Sequence, residues 1–171
     1  PYTPPRYQAS QTRMIISNYT GSLYFESVNS SNTITSAGKT FSGAVYFNGV
    51  GGEWTLQDAF TTTGDMTLND GTLFTNNKNL TCNTFSSNNN NVRGLTLGAS
   101  TVALTCGYYS GWSSGGTNFA FDAGASLIKF TATSGYPYLY GGANDGFYDV
   151  LFQSASVLGA SINGGLSFHN V

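Results

Sequence analysis

The chain has 171 residues, enough for one domain with a buried core, and only 8 % of them are charged, against roughly 25 % in typical soluble domains. The six Lys and Arg residues are dispersed and the formal net charge is -2, so the clustered positive charge that a phosphate backbone rewards is missing and no nucleic-acid partner is expected. The longest apolar run near the start is Met14-Ile15-Ile16, far short of the roughly 18 residues that cross a bilayer, so no membrane insertion is expected.

Residues 1–13 carry Pro1, Pro4 and Pro5 with Arg6 and Arg13 and show no periodicity. Proline cannot donate to a strand ladder, so this stretch reads as an extended N-terminal arm or linker. Residues 14–171 read as one β-domain, expected to be part of a longer repetitive chain. Within it, short segments alternate apolar and polar residues at period two and are separated by Gly, Asn, Asp and Ser. Seven apolar pairs recur: Leu23/Phe25, Val45/Phe47, Met66/Leu68, Leu95/Leu97, Phe119/Phe121, Val150/Phe152 and Leu166/Phe168, at spacings of 22, 21, 29, 24, 31 and 16 residues. No segment shows helical periodicity.

Near-repeats reinforce the pattern. Leu80-Thr81-Cys82 returns after 24 residues as Leu104-Thr105-Cys106. Met66-Thr67-Leu68 and its turn align with Leu95-Thr96-Leu97 and with Phe119-Ala120-Phe121; Val102 and Leu104 match Ile128 and Phe130 at an offset of 26, and Val45-Tyr46-Phe47 matches Val150-Leu151-Phe152 at an offset of 105. Repetition at fixed offsets indicates a solenoid in which each unit stacks on the last. The expected fold is a right-handed parallel β-helix of about seven coils, with an antiparallel β-sandwich as the alternative. Phe41, Phe47, Leu68, Leu97, Leu104, Phe121 and Phe130 are the expected core.

Three stretches carry a family resemblance: Lys39-Thr40-Phe41-Ser42-Gly43-Ala44-Val45-Tyr46-Phe47-Asn48-Gly49, Gly52-Glu53-Trp54-Thr55-Leu56-Gln57-Asp58, and Leu95-Thr96-Leu97-Gly98-Ala99-Ser100-Thr101. Over about residues 35–155 the chain resembles repeat modules of secreted adhesin-like bacterial surface proteins and phage appendage proteins. The resemblance implies a right-handed parallel β-helix and a place on a cell or virion surface. It implies no catalytic residues.

Chemistry-bearing residues are few. If 24 residues make one coil, Cys82 lies directly beside Cys106, about 4.8 Å away, where either a disulfide or two stacked buried thiols fits. Two cysteines without neighbouring histidines make a poor metal site, so no metal and no other cofactor is expected. The only histidine, His169, has no sequence neighbour that would place it in a Ser-His-Asp arrangement. The acids Glu53, Asp58, Asp65, Asp70, Asp145 and Asp149 read as turn residues bonding their own backbone rather than as a hydrolytic pair. The best ligand-binding candidates are aromatic: Tyr108, Tyr109 and Trp112 in a Gly/Ser-rich segment, and Tyr136, Tyr138 and Tyr140 around Pro137. Such rings stack on sugars or anchor partners. Asn76–Asn79 and Asn88–Asn91 read as consecutive turns with stacked side chains.

These features lead to the expectation of a non-enzymatic structural or adhesive module of an extracellular fibre, surface adhesin or phage appendage. Such a module would assemble with copies of itself as a homo-oligomer or with fibre neighbours. A glycan-binding or polysaccharide-degrading β-helix domain and a self-polymerising filament subunit are the alternatives.

Overall fold

The computed structural model describes residues 20–107, 111–132, 135–142, 145–153 and 159–171. The expected arm over residues 1–13 lies outside these, as do Tyr108 and Tyr109. Among the described residues there is no helix, and every strand pairing is parallel. That pattern rules out the antiparallel sandwich and gives a parallel β-solenoid.

The chain takes three short strands per turn. The first turn is β1 (Leu23–Phe25), β2 (Asn32–Ile34) and β3 (Thr40–Phe41); the second is β4 (Val45–Phe47), β5 (Glu53–Leu56) and β6 (Phe60–Thr62). The third is β7 (Met66–Leu68), β8 (Gly71–Phe74) and β9 (Leu80–Cys82), and the fourth β10 (Phe85–Ser86), β11 (Arg93–Thr96) and β12 (Thr101–Leu104). A fifth, β13 (Gly111–Ser114), β14 (Phe119–Asp122) and β15 (Leu127–Phe130), completes the regular part. Two reduced layers follow: β16 (Tyr138–Gly141) with β17 (Gly146–Phe152), then β18 (Ser161–Asn163) with β19 (Ser167–Asn170). Corresponding strands form a first sheet of seven strands from β1 to β18, a second of five from β2 to β14, and a third of seven from β3 to β19. About six turns result, roughly 30 Å of rod at 4.8 Å per layer, rather than seven full coils.

Period-two alternation turns one side chain in two toward the axis. Val45, Met66, Leu73, Leu95, Val102 and Leu104 are fully buried, as are the large rings of Trp54, Phe60, Phe85 and Trp112. Six of the seven expected core residues are buried; Phe121 is half-buried, packed between Trp112 and Phe147. Like residues stack in rows, with Phe25 on Phe47 at 4.8 Å and Phe130 on Phe152 at 4.5 Å between ring centroids.

The corners between strands are closed by side-chain bonds from one turn to the next. Asn69 Nδ2 donates to Asn48 Oδ1 (2.9 Å), Asn91 Nδ2 donates to the Asn69 carbonyl (3.0 Å), and the Ala99 amide donates to Asn77 Oδ1 (2.8 Å). The asparagine turns are therefore structural, but the expected stacking of one run on the other is not found: residues 76–79 turn between β8 and β9 and residues 88–91 between β10 and β11, at different corners. Gly124 needs its missing side chain twice over: its φ is +56°, and an added Cβ would stand 2.5 Å from the Gly98 carbonyl oxygen of the turn before.

Register corrects several sequence alignments. Cys82 stands opposite Leu104, an offset of 22 rather than 24, and Cys106 lies two residues past the end of β12. The shared tripeptide misleads because a shift of two preserves the inward-facing parity, so the alternation alone cannot detect it. Leu95 pairs with Leu73 and with Phe121, whereas Met66 pairs with Val45 and Phe85 in the first sheet. Likewise, β4 and β17 belong to different sheets, so the offset of 105 is not a longer repeat. The offsets of 22 and 21 from Leu23 through Val45 to Met66 are the true turn lengths, and the offset of 26 from Val102 to Ile128 is the true register there.

Candidate functional site

Cys82 and Cys106 are free and fully buried. Burial pushes both thiols above their usual range, with the Asp65 charge adding to the effect at Cys82. They stay protonated and pack as small apolar groups. Among the described residues no group of three or more His, Cys, Asp or Glu side chains gathers as a metal site would require.

Trp112 is also core rather than surface. It is fully buried, its ring touches Phe85, Phe121 and Phe147, and its Nε1 donates to Ser114 Oγ at 2.8 Å. A neighbouring Gly/Ser-rich loop suggested exposure, but β13 turns the residue inward beside Phe85. The hydrogen bond continues, because Ser114 Oγ donates to Asp145 Oδ2 (2.7 Å), which also accepts from the Gly142 amide (2.9 Å). Asp145 thus bonds its own turn's backbone, as expected, and is also a buried anchor to Ser114 of the turn before.

Close to it lies the feature that sequence reading missed. Arg93, which had looked like one more dispersed cation, is 2 % exposed. Its guanidinium places five donor bonds: Nε to Ser87 Oγ (2.8 Å), Nη1 to the Asn91 and Thr117 carbonyls (2.9 and 2.6 Å), and Nη2 to the Ser87 and Gly115 carbonyls (2.6 and 2.7 Å). Phe119 covers it, with the guanidinium carbon 5.0 Å from the ring centroid. Burial works to lower its pKa, and the charges of Asp145 and Asp70 oppose that; the group remains a cation. It ties two corner loops of successive turns together. The only sequence signal is its place between Val92 and Gly94 at the end of the asparagine run.

His169 does find a carboxylate. Its Nδ1 lies 3.1 Å from Asp149 Oδ1, its ring stacks on Tyr148 at 4.2 Å, and Asn170 Nδ2 donates to the same oxygen at 2.8 Å. His169 and Asn170 hold the Asp149 carboxyl below its usual range. The group lies on the open surface of the last layers, with 55 % of the His169 side chain exposed. Three of the other acids bond a neighbouring turn instead of the expected partner, their own backbone: Asp65 accepts from Asn83 and Thr84, Asp70 from Asn91, and Asp58 from the Ser36 and Ala37 amides, because stacked turns bring those donors closer than the acid's own loop.

The remaining aromatic candidates converge on one surface. Tyr138 and Tyr140 lie on the outer face of β16, on either side of the buried Leu139. Tyr140 is 40 % exposed and rests on the backbone of Gly115, where an added Cβ would come within 2.6 Å of its ring. Tyr136, half-buried, lies just before the strand. At the opposite end of the same sheet face Tyr24 and Tyr46 stack at 4.9 Å, Tyr24 being 59 % exposed. These two were legible as the central residues of Leu23-Tyr24-Phe25 and Val45-Tyr46-Phe47, and were passed over because they lay in strands rather than loops.

No family model matches the chain, and no curated protein or solved structure matches it at a significant level.

Proposed function

We propose that this domain is a non-enzymatic structural and adhesive module of an extracellular fibre, surface adhesin or phage appendage, acting as a stiff rod that joins further β-solenoid layers end to end. The observation that carries this reading is the ladder itself. Its first and third sheets run through seven parallel strands, and the last rung, β18 and β19, is paired on one edge only among the described residues. An unpaired parallel edge is a template for another rung, and a head-to-tail contact of this kind does not close on itself and builds a filament. Further support comes from where the reactive side chains go: the thiols, Trp112, Arg93 and Asp145 all serve packing between turns. The sparse charge and the resemblance to adhesin-like repeat modules favour the cell-surface or virion-surface setting.

Light scattering on the size-fractionated chain tests the assembly. Oligomers that lengthen with concentration are expected, and a monomer at every concentration, with or without residues 1–13, overturns it. Incubation with a polysaccharide panel tests the absence of catalysis: new reducing ends would overturn the structural reading.

A further inference from the structure

The outer face of the first sheet presents one continuous register of side chains, Tyr24, Tyr46, Thr67, Ser86, Ser113 and Tyr140, each paired with the next. The order is two aromatic rings, three small hydroxyls and a third ring, with Tyr138 flanking it. At 4.8 Å per layer, Tyr46 and Tyr140 stand about 19 Å apart. Between them Thr67, Ser86 and Ser113 form a low, half-buried floor. Among the described residues none of these three hydroxyls is bonded to another side chain. Among the described residues no lysine or arginine lies on this face: Lys129 belongs to the third sheet, Lys39 and Lys78 precede strands of the third sheet, and Arg93 is buried. The described charges next to this sheet's early strands are acidic: Glu26 just after β1, and Asp65 and Asp70 on either side of β7.

From this we infer that the outer face of the first sheet binds a neutral polysaccharide, a chain of several sugar rings lying along the solenoid axis. Aromatic rings offer flat apolar surface to the C–H faces of sugars, and the three hydroxyls between them both donate and accept. The lack of cations on this face among the described residues, together with Glu26, Asp65 and Asp70 beside its strands, disfavours an anionic glycan. Two ring platforms about 19 Å apart reward an oligomer that reaches both, because the second contact forms within the same complex. The inference does not rest on end-to-end assembly, since it concerns the side of the rod rather than its ends.

Calorimetric titration of the full chain with hexasaccharides of β-1,4-glucan, β-1,3-glucan, β-1,4-mannan and β-1,4-xylan, with the corresponding disaccharides and with oligogalacturonate, tests this. At least one neutral hexamer should bind, its disaccharide more weakly, and oligogalacturonate least. Tyr46→Ala and Tyr140→Ala should each weaken the hexamer about tenfold or more, while Tyr46→Phe, which keeps the ring, and Lys129→Ala on the third sheet should leave it within about twofold. All of these side chains face outward, and circular dichroism confirms that each variant is folded. The inference is overturned if no neutral hexamer binds at millimolar concentration, if binding survives both alanine variants, or if the anionic oligomer binds as well. Self-association lost in the tyrosine variants without any glycan binding would also overturn it, because the face would then join copies of the chain.

Discussion

The five complete turns and the two layers that follow them are built from the same strand type, yet they are not equally finished. Through β15 each turn closes three sides, and its inward residues are almost entirely buried. Beyond β15 the second sheet has no strand among the described residues, Ile162 is 40 % exposed, and β18 is exposed throughout. The corner hydroxyls show the same break. Thr75 Oγ1 donates to the Leu97 carbonyl (2.8 Å) and meets Ser100 Oγ at 2.8 Å, whereas Ser126, at the last full corner, has a buried Oγ with no partner among the described residues. A solenoid turn is stabilised by the turn above it as much as by itself, so stability should fall toward the C-terminal layers.

The largest expected effect is at Arg93, inside the finished region. Arg93→Met leaves four carbonyls, those of Ser87 and Gly115 buried, and the Ser87 hydroxyl without their donor, and should cost about 3–5 kcal/mol in urea unfolding. Arg93→Lys should recover little, because an ammonium cannot span the same fork of acceptors. Next, Leu73→Ala in the complete turns should cost about 2–5 kcal/mol by transfer loss and cavity formation, and the half-buried Leu166→Ala under about 1 kcal/mol. Equal costs would erase the distinction between the two regions. The corner hydroxyls give a finer contrast: Thr75→Val should cost about 1–3 kcal/mol, whereas Ser126→Ala should be nearly neutral or stabilising, since it removes an unpartnered polar atom.

The smallest effect is in pH. Burial works to raise the Asp58 carboxyl, but the amides of Ser36, Ala37 and Gly38 and the Ser36 side chain outweigh it and hold the pKa low; His169 and Asn170 do the same for Asp149. A carboxyl with a depressed folded pKa binds fewer protons than its unfolded counterpart. Its contribution is therefore complete above the unfolded value of about 3.9 and is lost as pH falls through the folded value. Hydrogen exchange across this acid range should show Asp149→Asn altering only the last layers and Asp58→Asn only the early turns. A change spread evenly over the rod in either variant would contradict the comparison.

Much of this architecture is legible in the chain because period-two alternation and turn residues are local signals. The parallel ladder, the buried rows and the structural role of the asparagine turns follow from them. Register is less legible, since a slip of two residues keeps every side chain on its own face; the paired Leu-Thr-Cys tripeptides therefore suggested 24 residues where 22 is correct. Which of three sheets a segment enters is set by the number of corners passed, and Met66 and Leu95 look alike while standing on different sides. The candidate site was half legible. Tyr138 and Tyr140 were found by their clustering, Trp112 was misassigned because loop composition next to it outweighed its own strand, and Tyr24 and Tyr46 needed the register to be seen as their partners. Arg93 shows the limit most plainly, because five acceptors drawn from two turns leave no trace in the residues beside it.

The central claim is a parallel coil that advances one strand spacing per turn. With Cys82 and Cys106 replaced by alanine, spin labels at position 24 paired with positions 113, 140 and 163 lie four, five and six layers apart on the outer face of the first sheet. Electron–electron dipolar distances should rise from about 19 to 24 to 29 Å, one strand spacing at each step. Distances that do not grow with the number of layers would contradict the solenoid and everything placed on it.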